Sequence, residues 1–271
     1  MHFHIMQPTG FLRKYIKYYC FMESDRHEEL VTERVIPIEG VQMMFHYGDP
    51  FVVNHPGDSI STQPRSIVTG LCNTYTDVST NGDTGVVFIR FFPEGACNFF
   101  DFPLNAIENL SVDTMDLFRT EIRIIEERLY SEKTITGKTQ IIEAFLLRHF
   151  LPVRQSDYRF IQTGIQLIKV SEMPLTTSGL SKTMAVTTKT LERKFSSLLG
   201  MSPKQFMKLV RYQKNLENLG TLKHLSLSEL AYQTGYFDQS HFIKDFKAFT
   251  GYTPGEFIHR YPDYNGTSET C

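Results

Sequence analysis

At 271 residues the chain is long for one domain and comfortable for two. With 41% hydrophobic and 21% charged residues it has the balance of an ordinary soluble globular protein. No run approaches the roughly 18 apolar residues of a bilayer span, and MHFHIMQPTGFLRKY lacks the charged-then-apolar layout of a signal peptide, so a cytoplasmic protein without a membrane partner is expected.

Residues from about 10 to 112 read as β-rich. Short apolar and aromatic runs recur at 15–22, 31–38, 41–47, 66–71 and 86–92. Turn signals separate them, including Glu39-Gly40, Gly48-Asp49-Pro50, His55-Pro56-Gly57 and Asn81-Gly82-Asp83. Many short strands so punctuated predict a sandwich or barrel. An enclosed barrel could hold a small molecule, but no residue pattern names one.

His2 and His4 form an HxH pair, and His46 and His55 lie near acidic residues. A metal site needs a third and fourth ligand at defined spacing. None is evident, so these read as surface or packing histidines. The four cysteines, Cys20, Cys72, Cys97 and Cys271, include no CxxC pair and read as reduced, structural thiols. No GxSxG, P-loop or GxGxxG is present. The expectation is therefore no catalytic residue, no metal and no cofactor.

Two helical segments follow. Leu117, Ile122, Ile125 and Leu129 make one apolar stripe; Ile141, Ile142, Phe145 and Leu146 make another after a break expected at Thr136-Gly137. Both stripes suit packing on the strands or pairing with a second copy of the chain. Leu151-Pro152 through Asp157 reads as a linker.

The second half is expected to be all helical. A leading helix, 157–170, precedes a helix-turn-helix in which Leu180 and Met184 face the core and Ala185 occupies the turn. Thr187 is the expected N-cap of the next helix, which buries Leu191, Phe195 and Leu198 and stops at Gly200. Pro203 opens a connecting helix to about Leu219, with Phe206, Leu209, Val210 and Leu216 as its apolar side. A second unit follows, with a Ser226/Glu229 capping box, Gly235 in the turn, Asp238 as cap, and Phe242, Phe246 and Phe249 buried.

These two units are copies. Leu191, Phe195, Gly200, Ser202, Pro203 and Phe206 recur 51 residues later as Phe242, Phe246, Gly251, Thr253, Pro254 and Phe257. The net charge of −2 is also divided between the halves. From Ser171 to Arg260 there are 12 Lys and Arg against 7 Asp and Glu, a balance of +5, which leaves −7 for the remainder. A basic module carried by an acidic partner suits contact with phosphate.

A helix fits the DNA major groove, and its N-terminal side chains reach base edges. The outward positions of the first candidate recognition helix are Lys189, Glu192, Arg193 and Ser196; those of the second are Gln239, Ser240, Ile243, Lys244 and Lys247. Gln239 suits adenine, Arg193 or Lys189 guanine, and Glu192 the cytosine amino group, whereas Lys244 and Lys247 suit phosphate. Arg211 and Lys214 of the connecting helix are further candidates for phosphate.

At these residues the chain resembles an AraC/XylS-type bacterial transcription regulator. SLSELAYQTGYFDQSHFIKDFKAFTGYTPGEF is similar to that family's C-terminal signature, and TTKTLERKFSSLLGMSPKQF to its first recognition helix and exit. ERVIPIEGVQMMFHYGDPF and IRFFPEGA resemble an N-terminal domain of poorly understood function that accompanies this unit. The resemblance implies two helix-turn-helix units in successive major-groove segments of a promoter, and effector sensing or dimerisation by the first half. It also places Lys189, Glu192, Arg193, Gln239, Ser240 and Lys244 on contact positions. Ala185, Ser181 and Asn215 depart from the pattern, standing where a glycine and two alanines are usual.

The expected fold is thus α+β with two domains. A β-rich, barrel- or sandwich-like sensor or dimerisation domain with a helical end covers 1–153. An all-α domain of two helix-turn-helix units joined by a helix covers 154–262, and 263–271 is a tail. Double-stranded promoter DNA is the expected partner, with RNA polymerase, a small-molecule effector and a second copy as further candidates. The alternatives are a barrel enzyme of metal- or sugar-type chemistry with an attached module, and a pure interaction module.

Overall fold

The computed structural model describes residues 2–26, 30–54, 59–171, 175–219, 227–233, 235–236 and 238–262. The tail at 263–271, and also His55 and Ser226, lie outside the described residues.

Ten strands build the first half: β1 His2–Met6, β2 Ile16–Ser24, β3 Val31–Val35, β4 Gln42–His46, β5 Val52–Asn54, β6 Ile60–Thr62, β7 Ser66–Thr69, β8 Thr76–Thr80, β9 Thr84–Phe91 and β10 Ser111–Asp113. They form two antiparallel sheets, one in the order β1-β2-β9-β4-β7-β10 and the other β3-β8-β5-β6. Both sheets are open. The layered alternative is realised, and the strands do not close into a barrel.

The five expected runs correspond to β2, β3, β4, β7 and β9. Strands β4 and β9 are buried at every position, and β2 at all but two. One face of the large sheet packs on helices. The other packs toward the small sheet through a separate cluster of Tyr18, Cys20, Met22, Met44, Ile67, Val86 and Phe88, with Phe51 and Val78 from the opposite side. Strand residues alternate between these two apolar environments.

The helices are α1 Thr114–Phe118, α2 Glu121–Ser131, α3 Ile135–Arg148, α4 Gln155–Val170, α5 Thr177–Thr183, α6 Thr188–Leu199, α7 Pro203–Leu219, α8 Leu227–Gln233, α9 Gln239–Thr250 and α10 Pro254–Arg260. Ile122, Ile125 and Leu129 of α2 and Ile141, Ile142, Phe145 and Leu146 of α3 are buried in the main core, so both stripes pack within the chain. The break between these helices precedes Thr134, which caps α3 by accepting from Gly137 N at 3.0 Å. Gly137 is therefore inside the first turn of α3, where its amide is held by the cap.

Residues 149–154 join the halves, and Leu151 N and Val153 N donate to the main-chain and side-chain oxygens of Asn98 at 2.7 and 3.2 Å. The halves also touch directly. Gln205 Nε2 donates to Glu108 Oε1 at 2.6 Å and Gln213 Nε2 to the Pro37 carbonyl at 3.3 Å, while Lys169 pairs with Glu39. Among the described residues no helix is long and apolar enough to cross a membrane.

Cys72 and Cys97 are free and Cys20 is disulfide-bonded, so the expectation of uniformly reduced thiols does not hold at Cys20. Cys271 lies outside the described residues.

Candidate nucleic-acid interface

Each recognition helix is set by local signals at both ends. Thr187 caps α6 by accepting from Thr190 N at 3.1 Å, and Asp238 caps α9 by accepting from His241 N at 2.7 Å. Gly200 and Gly251 end these helices at φ values of +100° and +76°, the left-handed conformation that glycine adopts at least cost.

Beyond each stop the chain repeats one device. Ser202 N donates to Gln205 Oε1 at 2.9 Å, and Thr253 N donates to Glu256 Oε2 at 2.7 Å. Pro203 and Pro254 then open the following helices. The six sequence coincidences are thus six shared structural roles, since Leu191 and Phe242, Phe195 and Phe246, and Phe206 and Phe257 are all buried.

The helix-turn-helix crossings depend on small residues. Ser181 in α5 and Ala231 in α8 are both buried, and their carbonyls accept from Val186 N and Tyr236 N at 3.0 and 2.9 Å. Ser181 satisfies its hydroxyl by donating to the Ser178 carbonyl at 3.0 Å, and buried Asn215 donates to the Arg211 carbonyl at 2.8 Å. Both departures from the family pattern are accommodated by hydrogen bonding. Ala185 stands at φ +52° where Gly235 has +79° in the second unit. On α6 the third buried residue is Leu199, with Leu198 only half-buried. The buried set falls at steps of four, and the wider stripe expected with Leu198 turns partly outward.

Lys189, Glu192 and Arg193 are exposed on α6, and Ser196 is half-buried. On α9 Ser240, Lys244 and Lys247 are exposed, while Gln239 is half-buried and Ile243 packs partly against the core. Thr188 and His241, not among the expected contacts, are also exposed in the first turns. Their positions in the first turn after each cap are the signal that could have nominated them. These turns combine outward amides with the positive end of the helix dipole.

The cations of the connecting helix are spent differently. Lys208 pairs with buried Asp245 of α9 at 3.0 Å. Arg211 donates to the Gly235 carbonyl at 3.3 Å and lies over the Tyr236 ring at 4.6 Å, while Lys214 donates to the Ser171 carbonyl at 3.4 Å. Burial, and then nearby Asp245, hold the Tyr236 phenol above its ordinary pKa, so it stays neutral beneath the guanidinium. Arg211 braces the second unit and Lys214 ties α7 to the end of α4, whereas Lys204 is exposed.

Two protein-family models match the sequence. Residues 180–260 match a helix-turn-helix domain of AraC type. The chain carries an AraC-type DNA-binding domain. Residues 4–113 match a domain of unknown function, DUF6597.

With this domain, the chain is supported as a DNA-binding transcription regulator. Among solved structures it is similar to ToxT from Vibrio cholerae, at 10% identity over 89% of this chain and 97% of ToxT, with a TM-score of 0.48. The C-terminal domain of AraT, a response regulator from Geobacillus stearothermophilus, is 24% identical over 37% of this chain and 84% of that one, with a TM-score of 0.36. A probable AraC family regulator from Rhodopseudomonas palustris is 23% identical over 38% and 96%, with a TM-score of 0.34. None of the curated proteins matches this chain in sequence.

Proposed function

We propose that the protein reads two successive major-groove segments of a promoter, one with α6 and one with α9, and that a small molecule acting on its first half alters this reading. The observation that carries the proposal is the duplicated, capped recognition helix, joined to its copy by one unbroken 17-residue helix, α7. A helix of that length is about 25 Å long and fixes separation and phase, as a flexible linker would not.

On this reading Arg193 and Lys189 contact guanine, Gln239 adenine and Glu192 the cytosine amino group, with Ser196, Ser240 and Ile243 lining the groove. Lys244 and Lys247 contact phosphate. Arg211 and Lys214 reach phosphate only with donors left over from their bonds within the domain. The boundary falls between 153 and 154. Such a regulator works in the bacterial cytoplasm without catalysis, and RNA polymerase and a second copy of the chain are its further partners.

Effector response is supported by the contacts between the halves, since a ligand that favours one arrangement over another shifts DNA affinity by its differential binding. The test is affinity selection of genomic fragments by the purified chain, then footprinting across a salt series. Protection over two adjacent major-groove turns, weakening steeply with salt, is the expected result. Protection of a single turn would overturn the double reading, and salt-insensitive binding would overturn groove contact.

A further inference from the structure

The sheet face turned toward β3, β8, β5 and β6 holds a charged group that DNA binding does not use. Arg90 of β9 is buried, and its Nη1 has no hydrogen-bond partner. It forms no ion pair with a described residue, and its titratable neighbour is Tyr18. The strand register places Tyr18 and Gln42 directly beside Arg90, one on each flanking strand. Three polar side chains thus form a row across the sheet. The next row on that face, two residues along, is Phe88 with Met44 on one side and the disulfide-bonded Cys20 on the other.

Solvent reaches this corner slightly more than the opposite face. Tyr18, Gln42, Met44, Phe88 and Arg90 keep 4%, 8%, 8%, 7% and 8% of their surface, whereas Tyr19, Met43, Val87 and Ile89, turned to the helices, keep none. A guanidinium removed from water without an opposite charge is costly, and a bound anion relieves that cost. Gln42, Met44 and Arg90 fall in the two segments, 33–51 and 89–96, that resemble the companion N-terminal domain, and Phe88 immediately precedes the second.

We propose that the space between the two sheets binds a small organic carboxylate with an apolar group, its carboxylate on Arg90, Tyr18 and Gln42 and its apolar part against Phe88 and Met44. The inference rests on the effector reading above and names the ligand class of that effector. Arg90 Nη1 supplies a charge-assisted bond and the phenol and amide supply neutral ones. Two residues along a strand are about 7 Å, which sets the distance from carboxylate to apolar group and makes 3-phenylpropanoate a suitable probe.

The test titrates the full-length protein with 3-phenylpropanoate, 3-phenylpropanamide and acetate, following heat release and thermal midpoint. The acid is expected to bind and stabilise at millimolar concentration, with the amide and acetate about tenfold weaker. Arg90→Met removes the preference for acid over amide, and Tyr18→Phe and Gln42→Leu reduce it. Arg90→Met deletes an uncompensated buried charge and is expected to fold; if it does not, the Tyr18→Phe and Gln42→Leu variants decide.

Equal binding of acid and amide, no binding of the acid, or a preference that survives these substitutions overturns the proposal. Footprinting on the same preparation separates the two readings. Intact promoter protection without acid binding removes the ligand site alone, and acid binding without protection removes the promoter reading instead.

Discussion

The guanidinium of Arg34, on β3 of the first half, donates from Nη1 to the main-chain carbonyl of Thr250 at 3.1 Å, the last residue of the second recognition helix. The same side chain makes a two-pronged pair with Asp77 of β8, Nε to Oδ1 and Nη2 to Oδ2, both at 2.7 Å. The rings of Tyr75 and Tyr252 lie 3.9 and 4.3 Å from it. A cation at a helix C-terminus complements the dipole. Gly251 permits the approach, because a Cβ there would stand 2.4 Å from Arg34 Nη1. The first half thus grips the end of the helix that carries Ser240, Lys244 and Lys247.

Arg34→Ala removes a charge-assisted hydrogen bond, a bidentate ion pair and two cation–ring contacts at once. The expected loss is about 2–3 kcal/mol, read as a lower urea midpoint of the full chain. A midpoint equal to that of the natural protein would mean the cluster forms without holding anything. Gly251→Ala is expected to act in the same direction through strain and overlap.

The turn of the first unit holds the opposite opportunity. Ala185 adopts φ +52°, a conformation that costs a residue with a Cβ about 1–2 kcal/mol. Glycine there relieves this, offset by its greater freedom in the unfolded chain. Ala185→Gly is therefore predicted to stabilise the protein by about 0.5–1 kcal/mol. Calorimetry that finds Ala185→Gly less stable would contradict this account of the turn.

Lys208 and Asp245 tie the connecting helix to the second recognition helix. The carboxylate is 8% exposed and the ammonium 37%, so replacing only the lysine leaves a nearly buried charge, with the His241 ring nitrogen 3.9 Å away. Lys208→Met is expected to cost about 2 kcal/mol, discounted from the fully buried case because the lysine end is wet. The double variant Lys208→Met/Asp245→Leu should recover most of that loss, and a double-mutant cycle with no coupling would rule the pairing out as a stabilising link.

What the sequence made legible was local. Caps at Thr187 and Asp238, stops at Gly200 and Gly251, and the length of α7 each depend on residues within a turn of one another. Strands β2, β4, β7 and β9 were visible because burial on two faces leaves a continuous apolar run. Strands β1, β5, β6 and β8 were not, since they are short or polar and lie largely in the smaller sheet or at an edge. Gly137 read as a breaker because the cap that makes it helical, Thr134, was not recognised. Contacts such as Arg34 with Thr250, 216 residues apart, and the burial of Arg90 arise from tertiary packing, which no local pattern encodes.

His46 supplies a test by pH. Its ring is buried beside Phe51, with Nε2 3.2 Å from Gln63 Oε1, and burial pulls its pKa down from 6.5 to about 4. In the folded state it stays neutral where the unfolded chain takes up a proton. Stability is therefore lost as pH falls from about 6.5 toward 4, at up to about 1.4 kcal/mol per pH unit. His46→Phe is expected to flatten the dependence in that window. An equal slope in both proteins, from urea midpoints at matched pH, would remove His46 as its source.

The recognition helices should separate base reading from phosphate contact. Arg193 is exposed in the first two turns of α6, so on the proposed reading Arg193→Ala costs about 1–3 kcal/mol at the selected site and relaxes preference at one base pair. Lys247 stands nearer the C-terminal end of α9, where phosphate is the nearer target. Lys247→Ala should weaken all sequences alike and reduce the slope of log K against log salt by about 0.9. Phe246→Ala is the contrast, since emptying a fully buried ring position should cost about 3–5 kcal/mol of folding stability and abolish binding together with the fold. The discriminating measurement is binding of each variant to the selected site and to a scrambled duplex across salt. If Arg193→Ala weakens both duplexes equally while its fold is intact, α6 does not read bases through this side chain. If the salt slope is unchanged in Lys247→Ala, the phosphate assignment on α9 fails independently.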